Sequence, residues 1–290
     1  MKGIAFAPGH ISAFFEPVYH KHNMNRTGSC GAGINVSHGA ISHVMVQPTL
    51  HQTILVHING KPSPAVVTKS AIQYLLGTTP LKITVNTILD LPVSQGFGMS
   101  AAGASSATLA LADLLQLPKE NAIKAAHYAE LQSFTGLGDV IAGSFGGIEI
   151  RKKAGLPPWG LLEHIPGCYD LILCVVSKKL QTKKILTDPI LVRKIASYGQ
   201  YSLKKLLEKP TLEHLFSLGW EFTRKIGIAD ATVLQAIEQA QEYGMASMCM
   251  LGNSVFATGD VPALSKILSQ YGKIFYCTVD EKGTRVLHEK

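Results

Sequence analysis

The chain has 290 residues, of which 46% are hydrophobic and 16% charged, with a mean hydropathy of +0.18. That is too apolar for a disordered chain and enough for a substantial core in one large domain or two smaller ones. No run of about 18 apolar residues argues for a membrane span, and the start MKGIAFAPGH lacks the apolar stretch of a secretory signal, so a cytoplasmic protein is expected. Five cysteines, with no CxxC, argue against a disulfide framework or structural zinc. The net charge of +7 suits small anionic substrates, an anionic surface or nucleic acid. The basic residues are scattered, however. The pairs Lys178-Lys179, Lys183-Lys184 and Lys204-Lys205 carry no interleaved aromatics, so neither a nucleic acid nor a membrane is expected as a partner.

In chain order, Gly39 to Asn59 alternates in part, as half-buried strands do, and KITVNTILDL (82–91) reads as another strand that Pro92 stops. A loop, SQGFGM, opens into AAGASSATLALADLLQL, a helix of small residues ending at Pro118. A second helix is predicted over 119–133, then a glycine-punctuated loop and short helix in GLGDVIAGSFGG, then a short strand, IEI. The stretch AGLPPWG (154–160) is the best boundary, dividing the chain into 1–155 and 156–290. Beyond it come a buried strand at 170–177, helices at about 188–208, 211–226 and 231–243, and a strand-like SMCMLGNSVFATG. A helix from Pro262 and a final pair, KIFYCTV and TRVLHE, close the chain. Strands and helices mix without strict alternation, which predicts an α+β fold.

The sharpest feature is PVSQGFGMSAA (92–102). Two glycines let the backbone approach a ligand, and a helix start offers free N–H groups and the positive end of the dipole: a site for a di- or triphosphate. The plainer alternative is that Ser100 only caps the helix. No Walker GxxxxGK[ST] is present. Gly96, Gly98 and Ala101 fit the dinucleotide fingerprint, but no strand with an acidic end follows about 20 residues on; Asp113 lies within the first helix. His20 and His22 form an HxH without a third metal ligand, and Cys30 has no visible base partner.

The same segment closely resembles the central motif of the GHMP kinase superfamily, P-x-x-x-G-x-G-x-S-A-A. Ala7-Pro8-Gly9 resembles its N-terminal motif, although His10 follows where many members carry another basic residue. Ala129-Glu130 with Gly136-Leu137-Gly138-Asp139 resembles its acidic motif, and Met248–Phe256 stands in place of its C-terminal motif, with Gly252 as the only glycine. Within the superfamily, APGHISAFFEP, TGSCGAGINVSHGA, GLGDVIAGSFGG and LGNSVF are similar to the archaeal pantoate kinases.

The resemblance implies a two-lobed α+β fold, with a ribosomal-S5-like N-terminal lobe and a ferredoxin-like C-terminal lobe. It implies ATP-dependent phosphorylation of the 4-hydroxyl of pantoate on the archaeal route to coenzyme A, and a homodimer. Gly96, Phe97, Gly98, Met99, Ser100, Ala101 and Ala102 would wrap the nucleotide phosphates, Ser100 and Glu130 would hold Mg²⁺, and Asp139 would be the base. Alone, Glu130 could be a surface charge and Asp139 a helix cap. Four further residues are candidates for pantoate. His127 shares a helix face with Glu130. Arg151 offers a planar fork for a carboxylate. Ser29, in the block Gly28–Gly33 read as a second anion-binding loop, is a plausible donor with Arg26 beside it. Another GHMP acceptor (homoserine or mevalonate), or a catalytically silent protein on the same scaffold, are the alternatives.

Overall fold

The structure is a computed structural model and describes residues 1–178 and 182–288. Lys179 of the basic pairs and Glu289 of the last predicted strand lie outside the described residues.

The chain opens with two long strands, β1 (Lys2–Val18) and β2 (Gly28–Pro48), paired antiparallel along their length with irregularities at Pro8/Gly9 and Ser12/Phe14. There follow β3 (Thr53–Ile58), β4 (Lys61–Pro62), α1 (Val66–Leu76), β5 (Leu81–Leu89), α2 (Met99–Leu114), α3 (Lys119–Ser133), α4 (Asp139–Phe145), β6 (Ile148–Lys153) and β7 (Leu161–Ile165). The rest is β8 (Asp170–Val175), α5 (Thr182–Thr187), α6 (Pro189–Glu208), α7 (Leu212–Ile226), α8 (Ala231–Ala240), β9 (Gly244–Met248), β10 (Ser254–Gly259), α9 (Val261–Leu268), β11 (Lys273–Thr278) and β12 (Arg285–Leu287).

The first sheet runs β12-β1-β2-β5-β3-β4, with β6 on the N-terminal half of β2 and β7 beyond it. The strand β2 thus serves two neighbours in turn: residues 31–34 pair with β6 and 40–48 with β5. Both β7 and β12 come from beyond residue 155, so this sheet takes strands from each side of the predicted boundary. The second sheet is antiparallel, in the order β11-β8-β10-β9. With α5 to α8 between β8 and β9, and α9 between β10 and β11, this is the ferredoxin-like topology.

Helix α2 carries Ala, Gly, Ser and Thr where most buried helices carry Leu, and it is buried on nearly every side. Small side chains let it lie close to β1, β2, α1 and α3 at once. Two of its buried hydroxyls are paired: Thr108 Oγ1 donates to the Ala104 carbonyl (2.8 Å), and Ser106 Oγ meets Ser42 Oγ of β2 (2.7 Å). The C-terminal helices start on side-chain caps from Asp188, Thr211, Asp230 and Asp260. No helix among the described residues is long and apolar enough to cross a membrane.

Two local expectations are corrected. The block Gly28–Gly33 is not a loop but the start of β2, a strand of small residues buried on both faces. Ser100 is not a helix cap either: Gly98 occupies that position and Ser100 is the second residue of α2.

Candidate active site

A cavity of about 520 Å³ opens where the phosphate loop, the 133–139 turn and the β9–β10 turn meet. Gly96 (φ 77°) and Gly98 (φ 62°) adopt left-handed conformations that a side chain resists, and both are tightly packed. A Cβ on Gly96 would lie 2.8 Å from the Cys249 carbonyl, and one on Gly98 3.1 Å from the His10 backbone nitrogen. The His10 N–H donates to the Phe97 carbonyl (3.0 Å) and fixes the loop from below. Gln95 Nε2 donates to the Ser177 carbonyl (3.2 Å), and Ser254 Oγ to Gln95 Oε1 (3.3 Å), which ties the loop to the second sheet. The 249–253 turn therefore backs the phosphate loop. Gly96, Phe97, Gly98, Met99, Ser100 and Ala101 line the cavity; Ala102 is buried one step further into α2. No side chain caps α2, so its first N–H groups are open to an anion.

Opposite the loop, α3 ends at Phe134 (φ 52°), and the chain turns through Gly136-Leu137-Gly138 into α4. Glu130 is buried (1% exposed), and its Oε1 accepts from the Asp139 backbone N–H at 3.2 Å. Burial first, and then the Asp139 charge, push its carboxyl well above the usual carboxylate range. Glu130 Oε2 has no protein partner. A Cβ on Gly136 would lie 2.5 Å from Glu130 Oε1 and 2.8 Å from Asp139 Oδ2, so the two carboxylates converge on the space that this glycine leaves. Asp139 is the first residue of α4, and the cap position belongs to Gly138, which excludes the capping role weighed for Asp139. Its side chain is 25% exposed and borders the cavity.

Asp139 Oδ1 is held by His10 Nδ1 at 2.7 Å. His10 Nε2 lies 3.0 Å from Glu149 Oε1, which also accepts from Arg151 Nη1. With a carboxylate on each ring nitrogen, the His10 ring carries both protons. Complete burial works against that charge, but Glu149 and Asp139 outweigh it and raise the pKa to about 9.

The residues expected to contact pantoate are placed differently from one another. Ser29 borders the cavity. Arg151, expected at a strand end, is 2% exposed behind the cavity wall: Nη1 reaches Glu149, Nη2 donates to Ser12 Oγ (3.2 Å), and Nε has no partner. His127 is wholly buried and does not border the cavity. Its Nε2 donates to the Met24 and Thr27 carbonyls (3.2 and 3.1 Å), and burial lowers its pKa to about 4. Arg26 is exposed and also stands off the cavity. Sequence reasoning missed Ser12, Phe134, Leu186 and Met250 on the wall, and Glu149 behind it. One signal for Glu149 was available: an acidic residue between two isoleucines on a short strand, on the face shared by Arg151. Three non-glycine residues in left-handed conformations, Ser94, Phe134 and Leu251, all border the cavity. Such backbone strain concentrates at binding sites.

The family model "GHMP kinases N terminal domain" matches residues 66–147. The pantoate kinase of Methanocaldococcus jannaschii is 33% identical over 94% of this chain and 99% of its own length. The chain belongs to the pantoate kinase family of GHMP kinases. A second member, from Thermococcus kodakarensis, is 34% identical over 87% of this chain and 86% of its own. Among solved structures, a phosphotransferase related to the CoA biosynthesis pathway superposes with a TM-score of 0.88 at 29% identity, covering 99% of this chain and 98% of that one. A homoserine kinase from Cytophaga hutchinsonii (TM-score 0.69, 19% identity, covering 99% and 97%) shares the fold.

Proposed function

We propose that the protein transfers the γ-phosphoryl group of ATP to the 4-hydroxyl of pantoate, the activity that its family's relatives carry. The observation that supports it most is the joint placement of an open helix N-terminus and Asp139 on one cavity, with the Glu130 carboxylate converging on Asp139 from behind Gly136. Phosphoryl transfer asks for little else: positioning, charge stabilisation and an acceptor for one proton. The Gly96–Ala101 loop and the first turn of α2 receive the phosphates. Asp139 accepts the hydroxyl proton. Its Oδ1 is occupied by His10, and Oδ2 makes no hydrogen bond among the described residues. Placement supplies what an ordinary carboxylate lacks in basicity.

Mg²⁺ fits the donors present. Glu130 Oε2 is a buried oxygen without a partner, and Ser100, an exposed residue, borders the cavity. Among the described residues no group of three or more His, Cys, Asp and Glu side chains could hold a metal, which suits an ion that takes one or two protein ligands and completes its shell with phosphate and water. Such an ion neutralises charge on the transferring phosphoryl group. Ser29 and Ser12 offer hydroxyls to the pantoate carboxylate, with the Arg151 charge directly behind them. Arg26 and His127 stand off the cavity wall and take no direct part in this reading.

The test is an acceptor screen: ATP consumption by the purified protein with pantoate, homoserine and mevalonate in turn. Pantoate should give the highest kcat/KM. Equal or better turnover of homoserine or mevalonate would redirect the reading to another GHMP acceptor, and no turnover of any would leave a silent scaffold.

A further inference from the structure

Glu149 is the second residue of β6, with no exposure at all, between Ile148 and Ile150. A carboxylate there costs several kcal/mol unless it is paired and hydrogen-bonded, and an apolar residue would pack in its place. It is paired twice on a single oxygen: Oε1 meets His10 Nε2 (3.0 Å) and Arg151 Nη1, and those two donors lie 3.3 Å from each other. Space for this meeting is left by Gly33, the residue opposite Glu149 in the β2–β6 register. A Cβ on Gly33 would stand 2.6 Å from His10 Nε2.

From Glu149 the contacts lead to the cavity by two routes. One runs through His10 to Asp139 Oδ1 (2.7 Å), the other through Arg151 Nη2 to Ser12 Oγ (3.2 Å). Asp139 and Ser12 both border the cavity. The geometry points to Glu149 as a positioning residue that fixes the base and the acceptor-binding wall together, so that one buried carboxylate sets where the acceptor hydroxyl and the acceptor carboxylate are received. It touches neither substrate. The inference rests on the reading of the site given above.

Glu149→Gln keeps the shape but removes the charge: its amide oxygen can still face His10 and Arg151, its NH2 group takes the place of the unpartnered Oε2, and the two cationic donors lose their buried counter-charge. The expected result is a kcat at least tenfold lower and an acceptor KM at least tenfold higher, with the ATP KM within about twofold, because the phosphate loop hangs on the His10 backbone rather than its ring. Glu149→Asp keeps the charge one methylene short and should give the same split at smaller size; it carries the test if the Gln variant does not fold. His10→Gln combined with Glu149→Gln should lose no more kcat than the worse single variant within about threefold, since both cut one route. A merely structural role predicts lower thermal stability with both KM values unmoved. A folded variant whose kcat and acceptor KM stay within twofold of wild type, equal changes in both KM values, or additive kcat losses would overturn the proposal. The split is read with whichever acceptor the wild type turns over, so an error in assigning pantoate and an error here show up separately.

Discussion

Replacing Asp139 by Asn separates its chemical duty from its structural ones. The side-chain Oδ1 of Asn can still accept from His10 Nδ1, which holds Asp139 at 2.7 Å. The helix α4 loses nothing, because Gly138 rather than Asp139 holds its cap position and makes no side-chain cap bond. Glu130 keeps its hydrogen bond, which comes from the backbone of residue 139. The stability cost should be about 1.5–3 kcal/mol, because the buried His10 ring keeps its hydrogen bond but loses one of its two counter-charges. What disappears is the carboxylate that takes the hydroxyl proton. Losing a general base lowers turnover by about 10² to 10⁴, or roughly 3–5 kcal/mol of transition-state free energy. ATP affinity should be unchanged, since the loop is anchored by the His10 N–H to Phe97 bond, which the substitution leaves alone. The assay is ADP release with each substrate varied in turn, beside calorimetric nucleotide binding and thermal unfolding. A folded variant with kcat within about fivefold of wild type would refute proton transfer to Asp139. A matching loss of ATP affinity and stability would assign the residue a structural role instead.

Arg151→Lys should raise the pantoate KM about ten- to a hundredfold and leave the ATP KM alone, because a point charge cannot reach Glu149 and Ser12 together; an unchanged pantoate KM in steady-state kinetics would remove Arg151 from acceptor binding. Gly136→Ala should cut kcat by at least about tenfold and raise the Mg²⁺ concentration needed for half-maximal rate, since its Cβ would stand 2.5 Å from Glu130 Oε1; wild-type Mg²⁺ dependence would contradict the assigned metal ligand. Thermal stability should fall as pH rises above 6.5, where His10 and the buried Glu130 act in the same direction; below 6.5 Glu130 and His127 oppose each other. His127, held neutral by burial with a pKa of about 4, contributes stability that is lost as pH falls from 6.5 towards 4, when only the unfolded chain takes up the proton. His10, with its pKa raised to about 9, contributes stability that is lost as pH rises from 6.5 to 9, when only the unfolded chain has released it. Each histidine is worth about 3 kcal/mol by linkage, so a melting temperature that is flat from pH 6.5 to 9 would contradict the His10 assignment.

The parts of the fold that were legible in the sequence are those that carry their own punctuation. The helices beginning near 189, 212, 231 and 261 sit behind Asp188, Thr211, Asp230 and Asp260, each of which caps its helix with its own side chain. The phosphate loop was legible because glycine, proline and a run of small residues have a local backbone reason to occur in that order. The start of β2 was not. A strand covered on both faces shows no alternation, and TGSCGAGINVSHGA is so rich in small residues that it reads as a loop until β1, β6 and α6 are seen packing against it. The helix α1 was missed as well, since VVTKSAIQYLL offers no capping side chain at its start.

The site divides along the same line. Ser100, Glu130 and Asp139 belong to motifs that are contiguous in sequence; Ser100 and Asp139 border one cavity, and Glu130 is buried just behind Gly136 on its wall. His10 and Glu149 stand 139 residues apart, and nothing local to either shows that they meet. His127 illustrates the converse: helical spacing places it on the face of Glu130, yet its ring is taken by two carbonyls of the 24–27 segment. The two buried histidines thus do opposite work. One is kept neutral because burial disfavours its charge and no carboxylate among the described residues stands by to offset it. The other is kept charged because two carboxylates face its two nitrogens. A phosphoryl-transfer site gathers negative charge from its nucleotide, its acceptor and its own base. Charges of the opposite sign, Arg151 and a doubly protonated His10, are buried directly behind that cavity, out of water, where their field is least screened and their geometry is fixed before substrate arrives.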